Sequence, residues 1–265
     1  MFDRAEIAKA QQHALDAYPN EAVGLMVSGA YVPVENTAAD PTKEFAFDEA
    51  LIVQYGAGLQ GVIHSHPDWY PVPSEADMAL QQALELPFGI ISTDGKGFTP
   101  PTYFGTDVPK GPLVGRGFIH GIQDCVAVII DWHAERGIVL PDPPRSWGWW
   151  LPKDGQPAKD LYRDNYEPYG FVPIDGPREG AVFLVPVGNE PIYQKNERGV
   201  DVQIGKKPVM IPNHGGIYTG GKILHHIADG TKPIDMTRLS RHDPLSLLRG
   251  ISNTNPIWFR HKDLP

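Results

Sequence analysis

Cysteine is the scarcest residue in this 265-residue chain, which contains one, Cys125. A single thiol excludes an internal disulfide framework and fits assembly in a reducing cytoplasm. Long apolar runs are missing too: no stretch of 18 apolar residues occurs, so no transmembrane segment is expected. Asp3, Arg4, Glu6 and Lys9 stand where a secretory leader would need an apolar stretch. Positive charge is scarce in residues 1–110, which carry 5 Lys/Arg against 15 Asp/Glu, whereas residues 111–265 carry 18 against 17. An acidic front half lacks the basic face that phosphate contacts need, so no nucleic-acid partner is expected. Five of the six Trp lie beyond the charge shift, which puts a domain boundary near residue 110.

What is present reads as mixed α and β. Apolar residues at helical spacing from Phe2 to Tyr18 predict a helix stopped by Pro19. Ala22–Ser28 and Tyr31–Val34 predict a hairpin, 48–56 a short helix, and Gly61–His64 a buried strand entering a Pro-rich loop. Ser74 is the expected N-cap of a helix running to about Leu86, with a strand at Phe88–Ser92. Pro100–Gly115, rich in Pro and Gly, reads as the linker. Asp124 caps a helix over Cys125–Arg136, ended by Gly137; 141–180 reads as loops with one short helix. Strands are predicted at Ala181–Val187, Gly215–Thr219, Lys222–His226 and Pro256–Arg260, with Gly220-Gly221 as a tight turn. The fold class is therefore α+β in two domains, 1–110 and 111–265.

The first chemical constellation is His64-Ser65-His66-Pro67. Two imidazoles two residues apart on a strand point to one side of the sheet, and Asp77 at a helix start can return its carboxylate to the same place. Two His and one carboxylate are a zinc ligand set that leaves a position for water. A proton shuttle is still needed, and Glu21, just before the first strand, is the candidate. With Ser74 and Asp77 following at fixed intervals, and Pro19-Asn20-Glu21-Ala22-Val23-Gly24-Leu25 upstream, this segment resembles the JAMM (MPN-type) metallopeptidases. The resemblance implies zinc on His64, His66 and Asp77, Glu21 as general acid/base, and Ser74 as an oxyanion donor.

The second constellation centres on Cys125 at a helix N-terminus, where the dipole favours a thiolate. His214, in His214-Gly215-Gly216-Ile217-Tyr218, is the candidate base. A His from the next strand, either His225 or His226 since adjacent residues face opposite ways, would orient it. These residues resemble the NlpC family of cysteine peptidases. The resemblance implies a papain-like domain with an antiparallel sheet, Cys125 as nucleophile, His214 as base and His225 as third member, with His226 as the alternative. Two departures from that family are Val126 after the cysteine, in place of Ser, and Phe118 where an aromatic hydroxyl is usual. His120, His133, His242 and His261 read as surface or structural histidines. Trp147-Gly148-Trp149-Trp150 reads as a loop packed onto the second domain, or as the lining of a groove.

The two domains in this order, with Asp160–Tyr166, Pro212-Asn213-His214 and Arg238–Arg241, resemble the tail tip assembly protein K family of lambda-like siphophages. This resemblance implies a cysteine endopeptidase acting on peptidoglycan stem peptides during genome entry, and a zinc-dependent peptidase that matures a tail protein. It implies other tail tip proteins as partners, assembly in the host cytoplasm, and action from the virion tail at the periplasm and cell wall. Two rival readings exist. One is a structural tail tip protein whose sites are relics or serve only assembly; the other is a ubiquitin-like deconjugase, which gives the Cys125 domain no purpose.

Overall fold

The computed structural model describes residues 2–153, 157–198 and 200–265. The chain is α+β and splits into two compact units, Met1–Lys110 and Gly111–Pro265.

The first unit holds α1 (Arg4–Ala17), β1 (Val23–Val27), β2 (Ala30–Val34), α2 (Ala50–Tyr55), β3 (Leu59–Pro67), α3 (Glu75–Leu84), β4 (Pro87–Thr93) and β5 (Thr102–Gly105). The strands form one mixed sheet in the order β2-β1-β3-β4-β5, parallel between β3 and β4 and antiparallel elsewhere. Central β3 is covered on both faces, which is why it reads as an apolar run. Ile63 packs against Ala10 and Ala14 of α1, with Met26 and Ile91. Residues at even positions face the other way, and His64 lies against Phe45 and Phe88. Gly24 is required where it stands, because a Cβ there would run into the Tyr31 ring.

The structure differs from the sequence reading at two places here. β3 continues through Pro67, so both histidines sit on the strand itself rather than at the mouth of a loop. The segment read as a linker contributes β5, since Thr102, Tyr103 and Phe104 suit a strand and Phe104 pairs with Phe88 on β4.

The second unit contains β6 (Gly117–Ile119), α4 (Cys125–Ala134), α5 (Leu161–Tyr166), β7 (Phe171–Ile174), β8 (Ala181–Val185), β9 (Asn189–Lys195), β10 (Asp201–Pro208), β11 (His214–Thr219), β12 (Lys222–His225), β13 (Ile234–Leu239), β14 (Arg241–Asp243), α6 (Leu248–Ile251) and β15 (Ile257–His261). Its main sheet is antiparallel, in the order β14-β12-β11-β8-β15-β7. α4 packs on one face through Val126, Val128, Ile129 and Trp132, over Val182, Leu184 and Ile217. The other face is closed by Phe183, Ile223, Leu248 and Trp258. Such two-sided burial explains why β8 is apolar at every position. Strands β6, β7, β9, β10, β13 and β14 were not read from the sequence. They are short or largely solvent-facing, so their side chains give no apolar alternation. Residues 154–156, within the stretch read as loops, lie outside the described residues. No helix among the described residues is long and apolar enough to cross a membrane.

Candidate active sites

In the first unit, β1 and β3 pair antiparallel with Val23 opposite His64. Continuing that register sets Glu21 opposite His66, and the Ala22 amide donates to Ser65 Oγ (2.8 Å), holding the two strands together there. α3 brings in Asp77. Ser74 caps this helix: Asp77 N–H donates to Ser74 Oγ (3.1 Å), and Ser74 N–H donates to Asp77 Oδ2 (2.7 Å), a capping box with the acid at its third position.

The donor atoms converge. His64 Nε2 and His66 Nε2 lie 3.2 Å apart, and each is 3.4 Å from an Asp77 oxygen. All three side chains are buried. A tetrahedral ion with ligands at about 2.0–2.1 Å requires ligand–ligand edges of about 3.3–3.4 Å; the separations are of this size, with His64 approaching Asp77 Oδ1 and His66 approaching Oδ2. His66 Nδ1 faces the Tyr70 carbonyl oxygen at 3.0 Å. It therefore carries the proton and donates, leaving Nε2 with a lone pair toward the centre. Among the described residues this is the one group of His, Cys, Asp and Glu close enough to hold a metal. The residues fit zinc.

The charges of the group are balanced internally. Burial disfavours the ionised form of Asp77, yet the two histidines outweigh it and hold its pKa well below the usual carboxylate range. Burial also opposes charge on both imidazoles. It prevails at His64, whose pKa is lowered, whereas Asp77 and Glu21 raise that of His66. Glu21 Oε2 is buried with no hydrogen-bond partner among the described residues. Burial lifts its pKa to about 7, opposed by His66 and reinforced by Asp77 and Glu44. A carboxyl poised near neutrality is suited to moving protons in both directions.

In the second unit, Asp124 caps α4 by accepting from Ala127 N–H (2.9 Å), and Cys125 follows as its first residue. Cys125 and His214 line one cavity of about 360 Å³. Tyr162 of α5 approaches the sulfur, with Oη 3.2 Å from Sγ. His214 Nε2 lies 2.9 Å from His225 Nδ1, and His225 Nε2 lies 2.8 Å from Asp243 Oδ2. The relay fixes both tautomers. Asp243 is held ionised: burial opposes its charge, but hydrogen bonds from His225 and Arg241 lower its pKa. It can only accept, so His225 donates from Nε2, accepts at Nδ1 from His214 Nε2–H, and leaves His214 Nδ1 bare.

The structure brings His214 and His225 together and gives His226 other partners in the same cavity. Gly216 pairs with His225 across the turn, so His225 shares the face of His214 by strand alternation. His226 instead donates from Nε2 to the Arg238 carbonyl (2.8 Å) and packs edge-on to Phe118. Two residues at this site escaped the sequence reading. Tyr162 places a hydroxyl beside the thiol, from another element than Phe118; it lies in the Asp160–Tyr166 segment. Asp243 comes from β14, 18 residues beyond His225, with no local pattern to mark it. Of the four histidines read as surface or structural, His120, His133 and His261 are buried, and His242 is exposed. In the tryptophan loop, Trp149 is in the core cluster, and Trp147, Trp149 and Trp150 line the cavity.

The pull of the helix N-terminus toward a thiolate is opposed at Cys125. Burial, with the adjacent Asp124 carboxylate, pushes its pKa up to about 11 against lowering by Tyr162, the Gly215 amide and Arg145. Burial, helped by His225 and His226, holds the His214 pKa well below the usual imidazole value. Both shifts favour the neutral forms of the two side chains.

Residues 4–103 match the family of prokaryotic homologs of the JAB domain. Tail tip assembly protein K of Escherichia phage N15 is 30% identical over 227 residues, covering 81% of each chain. The chain belongs to the tail tip assembly protein K family. A second member, from Escherichia phage lambda, is 33% identical over 180 residues, 65% of this chain and 74% of that protein. Among solved structures, a protein from Desulfitobacterium hafniense is similar at 23% identity with TM-score 0.31, covering 42% of this chain and 92% of that one. A JAB1/MPN domain protein from Archaeoglobus fulgidus is similar at 20% identity with TM-score 0.22, covering 39% and 91%.

Proposed function

We propose that this family member is a phage tail tip protein with two hydrolytic centres: an NlpC-type cysteine endopeptidase acting on peptidoglycan stem peptides, and a JAMM-type zinc peptidase. The observation that carries the reading is the relay His214–His225–Asp243 in the cavity that also holds Cys125.

In the cysteine centre, Cys125 Sγ attacks the amide carbonyl carbon while its proton passes to His214 Nδ1. His214 returns that proton to the nitrogen as the C–N bond breaks, leaving a thioester on Cys125 and a free amine. Water, deprotonated by His214, then hydrolyses the thioester to a carboxylate and regenerates the thiol. Asp243 and His225 stabilise the imidazolium that forms at His214. Because thiol and imidazole start neutral, proton transfer accompanies attack rather than preceding it.

In the first unit, His64, His66 and Asp77 would hold zinc, which would supply a Lewis acid and lower the pKa of water toward ~7. Glu21 takes a proton and hands it to the leaving amine, and the Ser74 hydroxyl donates to the developing oxyanion. This centre would act on a tail protein during assembly in the host cytoplasm. The cysteine centre would act later, from the virion tail at the periplasm.

The test is digestion of purified cell wall, followed by mass spectrometry of the released peptides. Wild type should release stem-peptide fragments and Cys125→Ala none. Intact walls with both proteins would refute the endopeptidase and leave a structural tail tip component, a reading favoured by the high thiol pKa alone.

A further inference from the structure

Arg145 heads the fully buried side chains by size, yet neither constellation contains it. Its guanidinium grips Asp124 with two parallel bonds, Nε to Oδ2 and Nη2 to Oδ1, both 3.0 Å. Nη1 also donates to Asp142 Oδ1 (2.5 Å) and to the Pro143 carbonyl (2.9 Å). Asp124 is saturated in turn. Oδ1 accepts from Ala127 N–H (2.9 Å) and Oδ2 from Gly121 N–H (2.8 Å), besides the two guanidinium bonds.

A helix cap does not need this arrangement. Asn, Ser or Thr would accept from Ala127 N–H without burying a charge, and a buried ion pair carries a desolvation penalty that apolar packing avoids. Two placements give it a purpose. Asp124 directly precedes Cys125, so an unbalanced carboxylate there would oppose any negative charge developing on sulfur. Arg145 is followed by Ser146 and the tryptophan loop that lines the cavity, so its grip on Asp124 ties that wall to the first turn of α4.

We propose that Arg145 is a positioning residue for Cys125: its fork on Asp124 fixes the first turn of α4, balances the carboxylate beside the sulfur and anchors the tryptophan wall of the cavity. The proposal rests on the reading of Cys125 as the nucleophile. The groups around the sulfur are Asp124 and Arg145, Tyr162 and Tyr166 from α5, His214 with the Gly215 amide from β11, the Asn213 carbonyl oxygen at 4.0 Å, and His120 and His226 in the same cavity. Within this set Asp124 raises the thiol pKa and Arg145 lowers it.

The experiment is the pH profile of Cys125 alkylation by iodoacetamide in the full-length folded protein, which reads the thiol whether or not it cleaves anything. Arg145→Gln should slow labelling at a given pH by about tenfold, since one pKa unit is tenfold in thiolate. Arg145→Lys, which keeps the charge and loses the fork, should slow it by roughly threefold. The double variant Asp124→Asn/Arg145→Gln retains a capping oxygen without either charge and should label at least as fast as wild type. A purely structural role would leave it as slow as Arg145→Gln, and that result would overturn the proposal. Wild-type labelling in folded Arg145→Gln would overturn it as well. Should Arg145→Gln fail to fold, wild-type labelling by Arg145→Lys is the contradicting result. The predicted shifts in a protein that releases nothing from cell walls would overturn the peptidase reading and uphold the placement of Arg145.

Discussion

The two centres of this chain are assembled in different ways. The front one draws three side chains from residues 64–77, on one strand and the first turn of the following helix, with Glu21 supplied from just before the neighbouring strand β1. The back one gathers Cys125 from α4, Tyr162 from α5, His214 and His225 from a hairpin, and Asp243 from an edge strand. Local assembly leaves a compact record in sequence; assembly across a sheet leaves scattered residues whose relation is set by pairing. The electrostatics differ as well. In front, a buried carboxylate and two imidazoles hold one another in balance around a convergence point. Behind, desolvation shifts both the thiol and the imidazole toward their neutral forms.

That contrast can be broken by substitution, beginning where the effect is largest. Asp243→Asn can donate as well as accept, so it no longer fixes the tautomers of His225 and His214. Its kcat on cell wall should fall by about 10²- to 10⁴-fold with little change in KM, measured by fragment release. An unchanged kcat would show that the relay ends at His225.

Next comes metal content. His66→Ala should reduce stoichiometric zinc to background by elemental analysis, while Cys125→Ala retains zinc at the wild-type level. Loss of zinc from both variants would mean that the centres are coupled and the contrast between them fails.

A third effect is graded with pH. The free thiol reference is 9.0 and the folded value is about 11. Alkylation of folded protein should therefore climb about tenfold per pH unit to near pH 11, whereas the unfolded chain levels off near 9. The same shift has a stability consequence. A thiol pKa raised by folding contributes stability below pH 9 that is lost as pH rises through 9 toward 11. A folded profile that levels near 9 would contradict the raised thiol pKa.

The smallest effect concerns the front centre's scaffold. Ser74→Ala removes the capping oxygen of α3 and should cost about 1 kcal/mol of stability in denaturant unfolding. Zinc affinity should also weaken, because Asp77 loses half of its reciprocal capping pair. An unchanged unfolding midpoint would assign Ser74 to chemistry alone.

The same contrast explains what could be read from sequence. Spacing alone placed His64, His66 and Asp77 in one patch, because strand alternation and a helix start are local rules. His225 was left undecided against His226, although parity settles it: with Thr219 opposite Lys222 across the Gly220-Gly221 turn, His225 falls on the face of His214. Asp243 had no such rule, since its position depends on β14 pairing with β12, with Ile223 opposite it. Composition misled at Thr102–Gly105, where Pro and Gly neighbours masked an edge strand. The helix-dipole argument for a thiolate at Cys125 left out an opposing effect, desolvation beside Asp124.

The central claim is that two independent hydrolytic centres share one chain, and cell-wall digestion by chelator-treated protein tests it most directly. Muropeptide mass spectrometry should show the same fragments, released at the same rate, after zinc removal as before, and no fragments from Cys125→Ala in either state. Loss of cleavage on zinc removal, or cleavage that survives Cys125→Ala, would contradict the account.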